Sequence, residues 1–431
     1  MATINKPHQG STHEGAPAAR ISPLAQLERS VMSCLLWEDE FYESGQAIGE
    51  RIAELVARVP AEDAVRVAIR AKEEMRLRHA PLLVAREMLR TKEGRALAKE
   101  VIPRVILRPD DITEFLANYW KDNPDEPLAK QVKRRLGEAF RAFDEYQLAK
   151  YSGGKKAVTL RDAIRITRPK PSDDAQAALW GRLVKGELAT PDTWEVALSK
   201  GGDKKEAWTR LLAEGRLGGL AALRNLRNMA KAGVDQESIR GAIRGLKAGR
   251  LLPINFLAAA RANPQFEPEL EAKFLDCFAG RVRLEGETIL LVDVSGSMDA
   301  VLSAKSEMRR IDVACALAMI GRETFEHLRV FTFSNDLVEV PGRRGFALRD
   351  AIVGSQYHAG TNLGTALRRL PKASRLIVIT DEQSHEPVPQ LAGYLINVAS
   401  ARNGVGYGTW VHIDGWSDRV LDYIARHEAT A

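Results

Sequence analysis

The chain has 431 residues, 45% of them hydrophobic and 28% charged, which is typical of a soluble globular protein long enough for two or three domains. No stretch has the apolar length of a membrane span and the N-terminus lacks a signal peptide's hydrophobic region, so we expect a cytoplasmic protein without a membrane partner. Three widely separated cysteines, Cys34, Cys277 and Cys315, argue against a disulfide framework and against a cysteine-based metal site.

The net charge of +6 is distributed unevenly along the chain. Residues 281–431 contain 17 Lys and Arg against 18 Asp and Glu, a net charge of −1, so residues 1–280 carry +7. We therefore expect any polyanionic partner to bind the first part of the chain.

Residues 1–23 are rich in Gly, Pro, Ser and Thr without apolar periodicity, which predicts a flexible tail. From residue 24 to 280, apolar residues recur at helical spacing and prolines separate the segments. Two spacings are typical of capping boxes at helix starts: Asp111 with Glu114 and Thr159 with Asp162. The pattern predicts an all-α solenoid of helical pairs without a strict sequence period.

Residues 281–431 show strands alternating with helices, which predicts a doubly wound α/β domain. Strands are predicted at 288–293, 328–334, 374–380, 394–398 and 409–413. Helices are predicted at 306–326, 363–370 and 417–426.

A buried strand at 288–293 breaks abruptly into Asp293, Ser295 and Ser297, which places one carboxylate and two hydroxyls at its carboxyl end. In open α/β sheets that edge binds ligands, and oxygen donors suit a hard divalent cation. The loop resembles the metal-ion-dependent adhesion site of von Willebrand factor A domains. The resemblance implies Mg²⁺ or another divalent cation, with Thr361 and Asp381 as the second-loop and third-loop ligands.

Two other interpretations of this loop compete with the metal site. Asp293, Ser295 and Ser297 could simply cap the following helix, since Asp and Ser are favoured N-cap residues. A serine hydrolase fits poorly, because a nucleophile elbow needs Gly two residues before Ser295, where the chain has Asp293. Three ligand loops at successive strand ends favour the metal site.

The helical part resembles TROVE domains. The likeness is carried by ordered segments rather than by one strong motif, at 37–45, 76–82, 150–151, 161–165, 168–171, 223–229 and 252–253. A TROVE domain followed by an A domain looks like the Ro autoantigen family. That resemblance implies a ring of HEAT-like repeats at 24–280, closed by the A domain at 281–431.

The resemblance also implies the function: a ribonucleoprotein component that binds small Y-like RNA on an outer basic surface and single-stranded 3′ ends of misfolded noncoding RNA in a central hole. An exoribonuclease or another protein is the implied partner at the metal site. We expect no enzymatic activity. The alternative is a protein-interaction adaptor for an ATPase or assembly machine, in which the metal site would have the main role.

One basic stretch is the main candidate for RNA contact. Arg161, Arg165 and Arg168 have the spacing of one helix face, and guanidinium groups in a row can follow a phosphate backbone. A stacking tyrosine and further cations flank them: Lys150, Tyr151, Lys155, Lys156 and Lys170. The competing interpretation is a solvated face, with Arg161 or Arg165 paired to Asp162 or Glu145.

Four further residues complete the RNA candidates. Arg224 and Arg227 lie three apart on a predicted helix, and the resemblance places some of that helix on the inner wall of the ring. Its asparagines could instead bond turns between repeats. Arg78 and His79 are expected at a helix end whose dipole favours cations, so a structural role is equally open for both.

Overall fold

The computed structural model describes residues 22–32, 45–199, 201–302, 307–382, 384, 386, 388–389, 391–398, 410–414 and 417–430. The chain packs as two compact units, one of residues 22–31 and 46–196 and the other of residues 32 and 45 together with the described residues from 197 onward. The predicted fold class is confirmed, since a helical part precedes an α/β sheet. No helix among these residues is both long and apolar enough to cross a bilayer.

The first unit is built from helices in its described residues. They are α1 (Pro23–Met32), α2 (Gly45–Val56), α3 (Ala61–Glu73), α4 (Ala80–Leu89), α5 (Lys92–Ala96), α6 (Ala98–Val105), α7 (Pro109–Tyr119), α8 (Lys130–Ala139), α9 (Glu145–Ser152), α10 (Leu160–Thr167) and α11 (Asp174–Lys185). Helix α12 (Trp194–Ser199) spans the division between the units. Helices pack on the next helix, as α3 does on α4, and on helices two or three places along the chain, as α6 does on α8 and α4 on α7. Stacked helical pairs bury a continuous core in this way.

The helix starts depend on local capping. At α10, Thr159 Oγ1 accepts a hydrogen bond from Asp162 N–H (3.1 Å), and the Asp162 carboxylate accepts one from Thr159 N–H (3.0 Å), which confirms the predicted capping box. The capping box predicted at Asp111 and Glu114 is wrong. Helix α7 begins at Pro109, and Asp111 is its third residue, so proline sets the start.

The second unit combines helices with one sheet. Its helices are α13 (Lys204–Ala213), α14 (Gly219–Lys231), α15 (Gln236–Arg244), α16 (Pro253–Ala262), α17 (Glu267–Asp276), α18 (Arg310–Thr324), α19 (Gly345–Val353), α20 (Leu363–Arg369) and α21 (Val420–Thr430). Its strands are β1 (Leu284–Asp293), β2 (Phe325–Phe333), β3 (Leu337–Val340), β4 (Arg375–Thr380), β5 (Tyr394–Asn397) and β6 (Val411–Asp414).

The strand order is β3-β2-β1-β4-β5-β6, parallel except for β3, which runs antiparallel at the edge. The chain leaves β1 on one side toward β2 and returns on the other side as β4. The carboxyl ends of β1 and β4 therefore flank the topological switch point, where open α/β sheets bind ligands.

Both faces of the sheet are buried, which explains the continuous apolar runs of its strands. One face of β1, with Ile289 and Leu291, packs in a core with Leu363 and Leu367 of α20. Helix α18 packs on β1 and β2, and α21 packs on α18.

The sequence prediction missed β3 and α19. Strand β3 has only four residues, and an edge strand of that length carries little alternation to detect. Helix α19 packs against both α17 and α18. The change from helices to strands lies near residue 280, as predicted from the sequence, whereas the compact units divide near residue 197.

A buried carboxylate joins α16 to the turn before α21. Asp418 is buried, and its Oδ1 accepts a hydrogen bond from the N–H of Ile254 in the first turn of α16 (2.6 Å). Burial raises the pKa of Asp418 from its ordinary value of 3.8 to about 6, although the nearby Arg419 opposes this shift.

This raised pKa predicts a pH dependence of stability. The folded protein binds the proton of Asp418 more tightly than the unfolded chain does, so the free energy of unfolding falls as the pH rises from about 4 to about 6. Asp418→Asn keeps an oxygen acceptor for Ile254 and should remove up to about 3 kcal/mol of this dependence. Urea unfolding of both proteins across that range measures the difference. Parallel curves would contradict the role given to Asp418.

Candidate functional site

The first loop of the candidate metal site begins where β1 ends. Asp293 is fully buried; its Oδ2 accepts a hydrogen bond from the hydroxyl of Thr380 (2.6 Å), and its Oδ1 accepts one from Ser295 N–H (2.8 Å). The hydroxyls of Ser295 and Ser297 lie 3.1 Å apart. The loop thus gathers one carboxylate and two hydroxyls at a single point.

A second carboxylate lies at the end of the neighbouring strand. Asp381 directly follows β4, is fully buried, and accepts a hydrogen bond at Oδ2 from Nη1 of Arg310 (2.7 Å). Its Oδ1 is buried and has no hydrogen-bond partner among the described residues. Burial, and next the Asp381 carboxylate, raise the pKa of Asp293 to about 7.

The segment that carries Thr361 is bonded to both neighbouring loops. Gly296 N–H donates to Ala359 O (3.0 Å), and the hydroxyl of Ser384 donates to Thr361 O (3.3 Å). Thr361 itself is buried. The structure therefore brings the three predicted loops together at the carboxyl edge of the sheet.

The donor set fits a hard divalent cation. It consists of the five predicted residues, which offer only oxygen atoms from two carboxylates and three hydroxyls: Asp293, Ser295, Ser297, Thr361 and Asp381. Among the described residues, no group of three or more His, Cys, Asp and Glu side chains is arranged to hold a metal. Two carboxylates are few for Ca²⁺, whereas Mg²⁺ is commonly bound by one or two and keeps several waters. The role of these five residues as metal ligands stays a prediction.

Sequence reasoning missed two groups at this edge. Arg310, the first residue of α18, pairs with Asp381 across 71 positions, and His358 Nδ1 lies 2.9 Å from Asp299 Oδ2. No spacing in the sequence indicates either contact.

The basic face of α10 is exposed to solvent. Arg161, Arg165 and Arg168 are exposed, and none forms a close ion pair with a carboxylate among the described residues, although Asp162 lies near enough to attract Arg165 and Arg161. Close ion pairs of Arg161 or Arg165 with Asp162 or Glu145 are absent from the described residues, because Asp162 bonds Thr159 and Glu145 pairs with Arg182. A solvated face remains the alternative to RNA contact.

One part of the helix-face prediction is corrected. Helix α10 ends at Thr167, and Arg168 follows it in the left-handed region (φ 47°). Helical geometry therefore places only Arg161 and Arg165 on one face. Arg168 extends that surface from beyond the helix end.

Arg161 and Arg165 line a cleft of about 660 Å³ between α9, α10 and α11, which we call the arginine cleft. Its other lining residues are Ala149, Ser152, Gly153, Thr159, Leu160, Asp162, Leu183, Gly186, Leu188, Ala189, Thr190 and Pro191. Gly186 has φ 81°, a left-handed conformation that other residues rarely adopt, and a Cβ there would lie 2.6 Å from Arg161 Nη2. The volume lies in the range of small-ligand pockets.

The cations that flank α10 differ in the contacts that they already make within the protein. Lys156 Nζ donates to Tyr151 O at the carboxyl end of α9 (2.6 Å), which is a structural cap. The Tyr151 ring already has the Arg108 guanidinium 4.8 Å and the Lys150 ammonium 5.7 Å from its centroid. A stacking base would have to compete with these two cations. Lys155 and Lys170 are exposed.

Arg78 and His79 lie at the wrong end of a helix for the predicted dipole effect. His79 is the N-cap of α4, where the macrodipole disfavours cations. Carboxylates compensate both residues: Arg78 Nη2 is 2.9 Å from Asp110 Oδ2, and His79 contacts Glu114. This pairing favours the structural role for both.

Arg224 and Arg227 lie on the exposed side of α14, and Arg227 forms a two-pronged ion pair with Glu307 (3.1 and 2.8 Å). They line a second cleft, of about 470 Å³, with Leu220, Leu223, Asn228, Asn255, Ala258, Ala259, Ala262, Asn263 and Glu307. The prediction that the asparagines bond turns is wrong, since Asn225 donates to Ala221 O and Asn228 to Asn225 Oδ1, both within α14.

Three comparisons with known proteins bear on these features. Residues 178–280 match the TROVE domain family. Telomerase protein component 1 of Rattus norvegicus is 27% identical over 190 residues, which cover 42% of this chain and 7% of that protein. The Mus musculus protein is 26% identical over 209 residues, 47% of this chain and 8% of its own length. The chain thus spans less than a tenth of either relative.

The fold has a solved counterpart. The crystal structure of the Deinococcus radiodurans Ro (RSR) protein superposes with a TM-score of 0.67 at 19% identity, covering 94% of this chain and 98% of that chain. At this identity the likeness establishes a shared fold. It extends over both the helical part and the α/β sheet.

Proposed function

This chain is a Ro-like TROVE protein, and from that premise we propose that it binds RNA without enzymatic activity. The proposed ligands are small Y-like RNA and the single-stranded 3′ ends of misfolded noncoding RNA, in a role in RNA quality control. The observation that carries the proposal is the exposed surface of Arg161, Arg165 and Arg168, whose guanidinium groups form no close ion pair with a carboxylate among the described residues.

Physical chemistry supports RNA rather than an acidic protein at this surface. Guanidinium groups form bidentate hydrogen bonds with phosphate, and a phosphate backbone presents a regular series of such groups. The arginine cleft adds accessible apolar groups, Leu188, Ala189 and Pro191, beside the two charges of Arg161 and Arg165. A nucleotide needs both features, a cation for its phosphate and an apolar surface for its base.

We propose that the metal site has a role separate from RNA binding. We propose that Asp293, Asp381 and the hydroxyls beside them hold Mg²⁺, and that a carboxylate of a partner protein, such as an exoribonuclease, completes the coordination. Two exposed apolar side chains adjoin these loops, Val301 at 59% and Tyr357 at 85% exposure. Exposed apolar residues next to a cation site suit a protein partner.

The proposed function predicts recognition of a free 3′ end. A structured RNA with a single-stranded 3′ tail should bind at least about tenfold more tightly than the same RNA with its tail paired, because unpaired nucleotides expose the faces and edges that proteins contact. Electrophoretic mobility shifts with both forms, at one fixed salt concentration, measure the ratio. A third RNA with a single-stranded tail at its 5′ end is the control. Equal binding of all three would contradict recognition of the end.

A further inference from the structure

Arg310 lies among the loops of the candidate metal site. Its Nη1 is 2.7 Å from Asp381 Oδ2 and 3.4 Å from the backbone oxygen of Ser297. Its side chain is 21% exposed, whereas that of Asp381 is fully buried. A guanidinium group therefore neutralises the third-loop carboxylate.

The position of Arg310 in its helix makes this contact informative. Arg310 is the first residue of α18, where the helix dipole disfavours a positive charge. The buried carboxylates of Asp293 and Asp381 provide the opposing attraction. Two carboxylates that share a buried site strongly favour a nearby cation.

The guanidinium satisfies this demand only in part. It carries one positive charge and bonds one oxygen of Asp381, so Oδ1 is left buried without a hydrogen-bond partner among the described residues. A divalent cation carries twice the charge and suits the carboxylate and hydroxyl oxygens gathered here. The guanidinium group of Arg310, by contrast, ends a long flexible side chain that is partly exposed to solvent.

We propose that Arg310 is an internal cation that competes with the divalent metal for Asp381 and thereby sets the metal affinity of this site. The inference rests on the proposed metal site and adds its regulation. In the metal-free protein Arg310 compensates Asp381, so the loops stay folded. Metal binding requires Arg310 to leave Asp381, and the cost of that displacement lowers the apparent affinity.

Arg310→Gln tests the competition. Gln keeps polarity but removes the charge, so full-length Arg310→Gln should bind Mn²⁺ at least about tenfold more tightly than wild type in calorimetric titrations after EDTA treatment and dialysis. In EDTA the variant should melt at a lower temperature than wild type, because Asp381 loses its partner. Saturating Mn²⁺ should raise its melting temperature more than that of wild type.

Arg309→Gln is the matched control. Arg309 is the adjacent residue, and it pairs with Asp299 (3.5 Å) rather than with Asp381. Its substitution by Gln removes the same charge as Arg310→Gln does. It should bind Mn²⁺ as wild type does, which separates competition for Asp381 from a general change of charge. If Arg310→Gln does not fold, Arg310→Lys replaces it; Lys keeps a cation but loses the planar fork, and a smaller gain in affinity is expected.

Each outcome decides the proposal. Equal, measurable Mn²⁺ affinities for wild type and Arg310→Gln would overturn the competition and leave the metal site in place, provided that Asp293→Ala abolishes binding. Equal gains by Arg310→Gln and Arg309→Gln would also overturn it. Absence of binding in every protein would overturn the proposal together with the metal site.

Discussion

Changing Arg161, Arg165 and Arg168 to Gln is expected to lower the slope of log affinity against log salt by about two units, since each phosphate contact to a single strand contributes about 0.7. If the affinities converge near 1 M salt, binding at 0.1 M salt should weaken on the order of 100-fold. All three side chains are exposed and none forms a close ion pair with a carboxylate among the described residues, so their charges are available to phosphate.

The variant should remain folded. Gln matches much of the length and helix propensity of Arg, and exposed substitutions of this kind change the free energy of unfolding by less than about 1 kcal/mol. RNA binding is measured by fluorescence anisotropy from low to high salt, and folding by circular dichroism and thermal melting.

A second triple variant separates specific contacts from net charge. Arg66, Arg104 and Arg134 are also exposed arginines of the first unit, but each pairs with a carboxylate: Asp63, Glu73 and Glu138. Changing these three to Gln removes the same total charge and should leave the salt slope nearly unchanged. If the slope of log affinity against log salt falls equally in both variants, binding depends on overall charge, and the α10 surface has no special role.

Asp111→Ala is expected to destabilise the first unit by about 3–5 kcal/mol, the usual cost of removing one partner of a buried ion pair. Lys72 Nζ lies 2.9 Å from Asp111 Oδ1, and the two side chains are only 6% and 0% exposed. The other carboxylate oxygen accepts the N–H groups of Leu107 and Arg108 (3.0 and 2.9 Å). The substitution therefore removes the carboxylate partner of the Lys72 ammonium, which keeps only a long contact with the backbone oxygen of Arg78 (3.5 Å) among the described residues, and it also uncaps α7.

Two comparisons test this explanation in urea unfolding. Lys72→Met should cost less, because Asp111 keeps both N–H donors and Met fills the space of the lysine stem. Glu73→Ala, which breaks the exposed ion pair with Arg104, should have little effect. If Asp111→Ala lowers the free energy of unfolding no more than Glu73→Ala does, burial of the Lys72–Asp111 pair does not control stability.

Local sequence patterns were sufficient for the fold class and for the first loop of the metal site, whereas the second and third loops were predicted from the resemblance to von Willebrand factor A domains. Apolar runs such as 289–292 and 376–379 are typical of strands buried on both faces. Asp293 follows the first run directly, and Asp381 lies two residues after the second. Parallel strands bring their carboxyl ends to one edge of the sheet, which is why the carboxylates that follow β1 and β4 lie in neighbouring loops. The capping box of α10 is equally local, since its two residues lie three positions apart.

The tertiary structure alone decided the partner of each charge. Arg310 with Asp381 and Arg227 with Glu307 join residues 71 and 80 positions apart, while Arg161 and Arg165 form no close ion pair with a carboxylate among the described residues. Hydrophobic periodicity reports which face of an element is buried, but it contains no information on which long side chains meet across elements. Those meetings depend on helix packing and rotamers, and they determine which cations remain available for RNA or metal chemistry.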